Sequence, residues 1–197
     1  MHLRPSRFPK ALIALGFLIL AGGCGHMPVT SMVKLARVDF ETTDPVLLRA
    51  AVKLPANVQP RSVTLRIGVK IAGAAEDTQN FRLMEVSDPA ELISLRDEIE
   101  AGTHIFAYRL EPAEATRLAL FREQLMAKKK VAAGRGGSLS IFISAQGCHT
   151  GELPAKVMLT TYLRTGETKN YVALTRDVDL RTVDSRRDLA TGIPPCT

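Results

Sequence analysis

Tryptophan is absent from this 197-residue chain, aromatic residues reach only 5%, and there are only three cysteines and four histidines. Three cysteines are too few for a disulfide-dense miniprotein, and 14 glycines with 11 prolines, scattered without period, exclude collagen and low-complexity chains. No apolar run approaches the ~20 residues that cross a bilayer, so a polytopic membrane protein is excluded as well. One ordinary globular domain remains. A chain this long buries roughly two-thirds of its unfolded surface, enough for a core that folds without metals or many disulfides.

The first 24 residues are the most informative. Arg4, Arg7 and Lys10 stand in a stretch with no acid, Ala11 to Leu20 is apolar, and Ala21-Gly22-Gly23-Cys24 follows with small residues. Basic, then apolar, then small is the layout of a secretory signal. Small residues ending at a cysteine resemble the lipobox of bacterial lipoproteins, although Ala21 occupies the position where leucine is usual. The resemblance implies cleavage by signal peptidase II between Gly23 and Cys24, with a diacylglycerol on the Cys24 sulfur. It also implies a destination: Gly25 is not the aspartate that retains such lipoproteins at the inner membrane, which points to the periplasmic face of the outer membrane. Without the lipobox, the same stretch is an ordinary cleaved signal or an uncleaved anchor.

Residues 1–23 therefore form the expected signal peptide, residues 24–31 a lipidated tether, and residues 32–197 the folded domain. Removing the signal takes the formal charge from +6 to +3, because Arg4, Arg7 and Lys10 leave and no acid does. An excess of three, with few aromatic platforms, lacks the concentrated basic footprint of nucleic-acid binding. No nucleic-acid partner is expected. The one basic cluster, Lys128-Lys129-Lys130 with Arg135, falls where a helix should end and reads as a solvated helix terminus or a contact for anionic lipid or glycan.

Val63, Leu65, Ile67, Val69 and Ile71 alternate with Thr64, Arg66, Gly68 and Lys70, the period-two signature of a strand with one buried face. Shorter patterns of the same kind occur at Val33 to Phe40, Leu47 to Leu54, Phe81 to Val86, His104 to Leu110, Leu139 to Ser144, Val157 to Arg164 and Asn170 to Thr175. Thr165-Gly166-Glu167 joins the last two as a hairpin. The fold class expected is mainly β with a helical insertion (α+β): an antiparallel, Ig-like β-sandwich of about eight strands with one or two helices.

Two stretches depart from that pattern. Ser87-Asp88-Pro89 opens a helical segment at about 88–100, with Leu92, Leu95 and Ile99 on one face. Pro112 opens a second at about 112–130, with Leu118, Phe121 and Leu125 as its stripe and Gly134-Arg135-Gly136-Gly137 after it. The tail from Ser185, with Pro194-Pro195, reads as irregular.

Catalytic and metal-binding patterns are scarce. Gly134 to Ser138 leaves a helix and enters a strand, the reverse of a phosphate loop. His26, His104 and His149 have no zinc-site spacing, and Asp177, Asp179 and Asp184 lack the glycine and terminal glutamate of an EF-hand and read as a solvated strand end. No metal, no cofactor and no catalytic set are expected. One stretch, Ser144-Ala145-Gln146-Gly147-Cys148-His149-Thr150, resembles the cysteine motif of the L,D-transpeptidases at Gly147 and Cys148. That resemblance implies a cell-wall enzyme using Cys148 as nucleophile, with His149 the available base. It departs from the family at Gln146 and Thr150, where histidine and asparagine or arginine are usual.

Cysteine arithmetic opposes that role for Cys148. With Cys24 acylated, Cys148 and Cys196 remain as a pair in an oxidising compartment and should form one disulfide, closing a loop of about 49 residues. The function expected is non-catalytic: a lipid-anchored periplasmic protein that binds or supports an envelope protein or glycan.

Overall fold

The alternation at Val63 to Ile71 becomes the inner half of a 14-residue strand, and six further strands assemble beside it. The structure, a computed structural model, describes residues 28–36, 38–71, 75–131, 137–183 and 192–197. Its strands are β1 (Arg49–Pro55), β2 (Val58–Ile71), β3 (Asp77–Val86), β4 (Thr103–Leu110), β5 (Gly137–His149), β6 (Met158–Arg164) and β7 (Val172–Asp179). They form one sheet in the order β5-β2-β3-β4-β1-β6-β7, with every pair antiparallel. The mainly β, antiparallel character with helices is as expected. The architecture differs from the Ig-like sandwich of about eight strands: there are seven strands in one sheet among the described residues.

That single sheet curls until its two halves face one another. Leu65 and Ile67 of β2 and Leu163 of β6 line the same small cavity with Leu48. β2 and β6 lie four places apart in the sheet, about 19 Å if it were flat, so only strong curvature brings them together. Ala50, Val52 and Leu54 of β1, Val63, Leu65 and Ile67 of β2, and Phe81 and Leu83 of β3 all point into this concave side.

Helix α2 (Pro112–Val131) carries the chain from β4 across the concave side to β5 at the edge. Its buried stripe, Ala115, Leu118, Phe121 and Leu125, matches the expected spacing. Phe121 stacks at a tilt on Phe81 with ring centroids 6.1 Å apart, and the Arg117 guanidinium lies 4.4 Å from the centroid of the Phe81 ring.

Three local expectations are corrected. Val33 to Phe40 does not form a strand: helix α1 (Val29–Leu35) starts directly after Pro28, and its Ser31 is buried. The stretch read as a tether to residue 31 is thus already folded from Pro28. The segment expected at 88–100 is a 3-10 helix, Pro89–Glu98, capped by Asp88 Oδ1 accepting from the Ala90 N–H. Three residues per turn place Leu92, Leu95 and Glu98 along one line, so Glu98 faces the sheet and Ile99 is exposed instead of packed. Third, residues 192–197 of the tail, though part of no strand, are tied to the end of β5 by a bridge at Pro195.

The hairpin expected at Thr165 to Glu167 joins β6 to β7, with the Thr165 N–H donating to Thr168 Oγ1 at 2.9 Å. Asp177 and Asp179 are held, not merely solvated. The Thr160 hydroxyl donates to Asp177, and Asp179 accepts from the Val157 and Arg181 N–H groups.

Candidate functional site

The convex face carries a charged clasp that fastens the 3-10 segment. Glu91 accepts from Arg49 Nε at 3.1 Å and from Arg164 Nη2 at 2.5 Å, joining β1 and β6 to the segment through one carboxylate. Glu98 takes both terminal nitrogens of Arg176 and the Tyr162 hydroxyl. The Arg176 guanidinium, and after it Tyr162, hold the Glu98 carboxyl below its ordinary range. Lys53, with a side chain only 6% exposed, reaches Glu100 at 3.1 Å. The Arg164 guanidinium lies 5.2 Å from the centroid of the Tyr171 ring, and burial pushes the Tyr171 hydroxyl up to about 12. Each carboxylate here is answered by a cation, so the face is built to hold structure together.

The end of β5 brings Cys148 and Cys196 together. Their sulfurs are 2.07 Å apart with Cα atoms at 4.9 Å, and Cys148 is 2% exposed. The tail reaches this place as a parallel bridge between His149 and Pro195. The His149 N–H donates to the Pro194 carbonyl and the Cys196 N–H donates to the His149 carbonyl, both at 2.9 Å. Pro195 sits between those bonds, where the ladder asks nothing of its missing N–H.

Geometry at Cys148 gives a nucleophile no opening. Its sulfur is joined to Cys196, and the His149 ring points away from it, with Nδ1 2.7 Å from the Gly151 carbonyl oxygen. Backbone approach is close here: a Cβ on Gly147 would lie 2.7 Å from the Gln59 carbonyl oxygen. Gly147 is therefore needed for the close approach of β5 to β2.

The opposite end of the sheet is the better place for a ligand. Between the tips of β2 and β5 and the last turns of α2 lies a cleft of about 210 Å³, lined by Phe40, Val69, Ile71, Leu125, Met126 and Leu139 among others. A second opening on the β3 side shares Val69, Ile71 and Leu125 with it. The floor is apolar and the rim charged. Lys128 pairs with Asp77 at 2.8 Å and Lys129 with Glu41, so two of the three lysines read as a solvated terminus are tied to neighbouring segments. Lys128 lowers the Asp77 carboxyl, and Glu41 raises Lys129. Such a cleft accepts an apolar group of modest size, an acyl segment or a partner side chain, and offers paired charges at its mouth.

Cys24 and the lipobox lie outside the described residues, as do His26, Asp184 and most of the Gly134 to Ser138 turn. His104 sits on β4 with its ring edge against Phe106. Among the described residues no three His, Cys, Asp or Glu side chains are grouped to hold a metal, and no helix is long and apolar enough to cross a membrane. Sequence reasoning missed the cleft and the clasp, because their members come from strands and helices far apart in the chain. Locally the sequence shows only the acids Glu91, Glu98 and Glu100; the arginines that meet Glu91 and Glu98 stand 42 to 78 positions away. Comparison of the chain with known protein families, with curated proteins and with solved structures finds no match.

Proposed function

We propose that the protein is a lipid-anchored component of the bacterial cell envelope, attached through Cys24 at the periplasmic face of the outer membrane, with a binding or structural role and no catalytic one. The observation that carries this is the order of the first 24 residues: basic, apolar, small, then cysteine. The Cys148 and Cys196 sulfurs at bonding distance support an oxidising compartment, where such pairs persist. Pro28, which helix α1 follows, stands four residues after Cys24, a reach of at most about 14 Å, so an anchor on Cys24 keeps the domain close to the membrane surface. Lipidation with two or more chains anchors stably, which one chain alone does not.

The apolar cleft between the β2 and β5 tips and α2 is where an envelope partner, protein or glycan-bearing lipid, would engage. The L,D-transpeptidase-like alternative requires Cys148 free, and its burial and pairing give that alternative no support.

Fractionation tests the anchor. The wild-type chain is expected to stay with membranes through a carbonate wash, and Cys24→Ala to be released to the soluble fraction. Retention of Cys24→Ala on membranes would sink the proposal.

A further inference from the structure

β5 is an edge strand of the sheet. Its thirteen residues, Gly137–His149, include no Asp, Glu, Lys, Arg or Pro, the residues with which edge strands usually block pairing with another chain. Residues 194–196 of the tail pair with its last residue, through the bridge at His149. Among the described residues, no backbone hydrogen bond reaches the free side of β5 from Ser138 to Gly147.

The groups left open on that side follow from the tail. His149 turns both its N–H and its C=O toward residues 194–196. Successive residues of a strand alternate, and the register with β2 is unbroken on the β5 side, so Gly147, Ala145, Ile143, Ile141 and Leu139 turn their backbone groups the same way. Phe142 and its even-numbered neighbours turn theirs to β2. On the outer face Phe142 is 56% exposed, and at the tip Leu139 is 42% exposed.

The sequence of the free edge is nearly the same read in both directions from Phe142. Ile141 mirrors Ile143, Ser140 mirrors Ser144, Leu139 mirrors Ala145, Ser138 mirrors Gln146, and Gly137 mirrors Gly147. A two-fold axis requires this: if residue i meets residue j, then j meets i. We infer that β5 pairs antiparallel with β5 of a second copy about a two-fold axis at Phe142, joining two seven-stranded sheets into one. In that register apolar residues meet apolar residues on the inner face and hydroxyls meet hydroxyls or amide on the outer face. The open backbone groups then pair in about ten to twelve hydrogen bonds, and Phe142 meets its counterpart in the close, non-hydrogen-bonded position.

Electrostatics permits a second copy. The strand itself carries no charge, and the Glu76 carboxylate that accepts from the Ser140 hydroxyl at 3.3 Å lies, in this register, beside Ser144 of the second copy and about 14 Å along the strand from its own counterpart's Ser140. The nearest cation, Arg66, stands opposite Phe142 on β2, and two copies of it would be three strand spacings apart, about 14 Å, beyond the screening length of about 8 to 10 Å.

Single-cysteine cross-linking of the full chain in its native membrane reads the register directly. Phe142→Cys places two sulfurs in a directly opposed pair with Cα atoms about 4.5 Å apart, within disulfide reach. Ser140→Cys and Ser144→Cys each place their copies about 14 Å from themselves, but opposite one another. Mild oxidation should convert most Phe142→Cys protein to covalent dimer, leave either serine variant monomeric alone, and link the two serine variants when they are co-expressed, all judged against the chain without an added cysteine. Monomeric Phe142→Cys would overturn the inference. So would self-linking of Ser140→Cys equal to that of Phe142→Cys, which would reveal random collision or another register. Phe142 is exposed, so its substitution leaves the core intact and a negative result is decisive.

Discussion

Arg176 presents both terminal guanidinium nitrogens to Glu98, at 2.7 and 2.9 Å, and so ties the 3-10 segment to β7 across the convex face. Two parallel bonds to one carboxylate fix geometry as well as charge. The Tyr162 hydroxyl donates to the same carboxylate from β6.

That pair makes stability depend on pH in acid. The folded-state value of Glu98 is depressed from its ordinary 4.5, so its contribution is complete above that value and disappears as pH falls through the lower, folded one. Urea midpoints measured from neutral pH down to pH 3 should therefore fall more steeply for wild type than for Glu98→Gln. The partly exposed pair is worth about 1 kcal/mol at neutral pH. Parallel acid profiles for the two proteins would exclude Glu98 as a contributor.

Two glycine-to-alanine substitutions should separate contact from conformation. At Gly147 a Cβ would strike the Gln59 carbonyl oxygen at 2.7 Å, so the β2 and β5 backbones must move apart, at a cost of about 1 to 3 kcal/mol. At Gly102 nothing lies within 4 Å, but φ is +78°, and alanine there costs about 1 to 2 kcal/mol from the left-handed backbone alone. Melting curves should show both losses, and only Gly147→Ala should increase amide exchange along β2 and β5.

Cys148 and Cys196 should be bonded to one another in protein taken from an oxidising envelope. An alkylating reagent under denaturing, non-reducing conditions is expected to find no free thiol at either position, and two after reduction. The bridge closes a separation of 48 residues, and reduction should cost on the order of 4 kcal/mol in the chain-entropy picture. A rapidly alkylated Cys148 whose reactivity disappears in His149→Ala would instead restore the nucleophile role.

Phe81→Ala should be the most damaging core change. The ring is fully buried, meets Phe121, and has Arg117 over its face. Loss of that packing is expected to lower unfolding free energy by about 3 to 5 kcal/mol in urea titrations. A loss below 1 kcal/mol would mean that α2 does not close the concave side in solution.

Much of the fold was legible because strand and helix periods are local properties. The alternation at Val63 to Ile71, the stripe Leu118, Phe121 and Leu125, and the hairpin at Thr165 to Glu167 each need only a few consecutive residues to be seen. The Val33 to Phe40 stretch misled for the same reason. Short apolar runs suit either state, and α1 is decided by Pro28 and by packing of Leu35 on the core. Ile99 was misplaced because spacings of three and four fit an α-helix, whereas three residues per turn put Glu98 on the face.

By itself the sequence determined where most strands and helix α2 lie, the basic, apolar, small order of its first 24 residues, and that two cysteines remain once Cys24 is set aside. Tertiary structure alone decided that the strands form one curled sheet and not two stacked ones, that α2 and not a second sheet covers the concave side, and that β5 lies at the edge of the sheet. The physical reason is range. A residue's period is set by its neighbours in the chain, but curvature, edges and clefts are set by pairings such as β2 with β5, whose register joins residues 66 to 91 positions apart, from Ile71 with Gly137 to Val58 with His149.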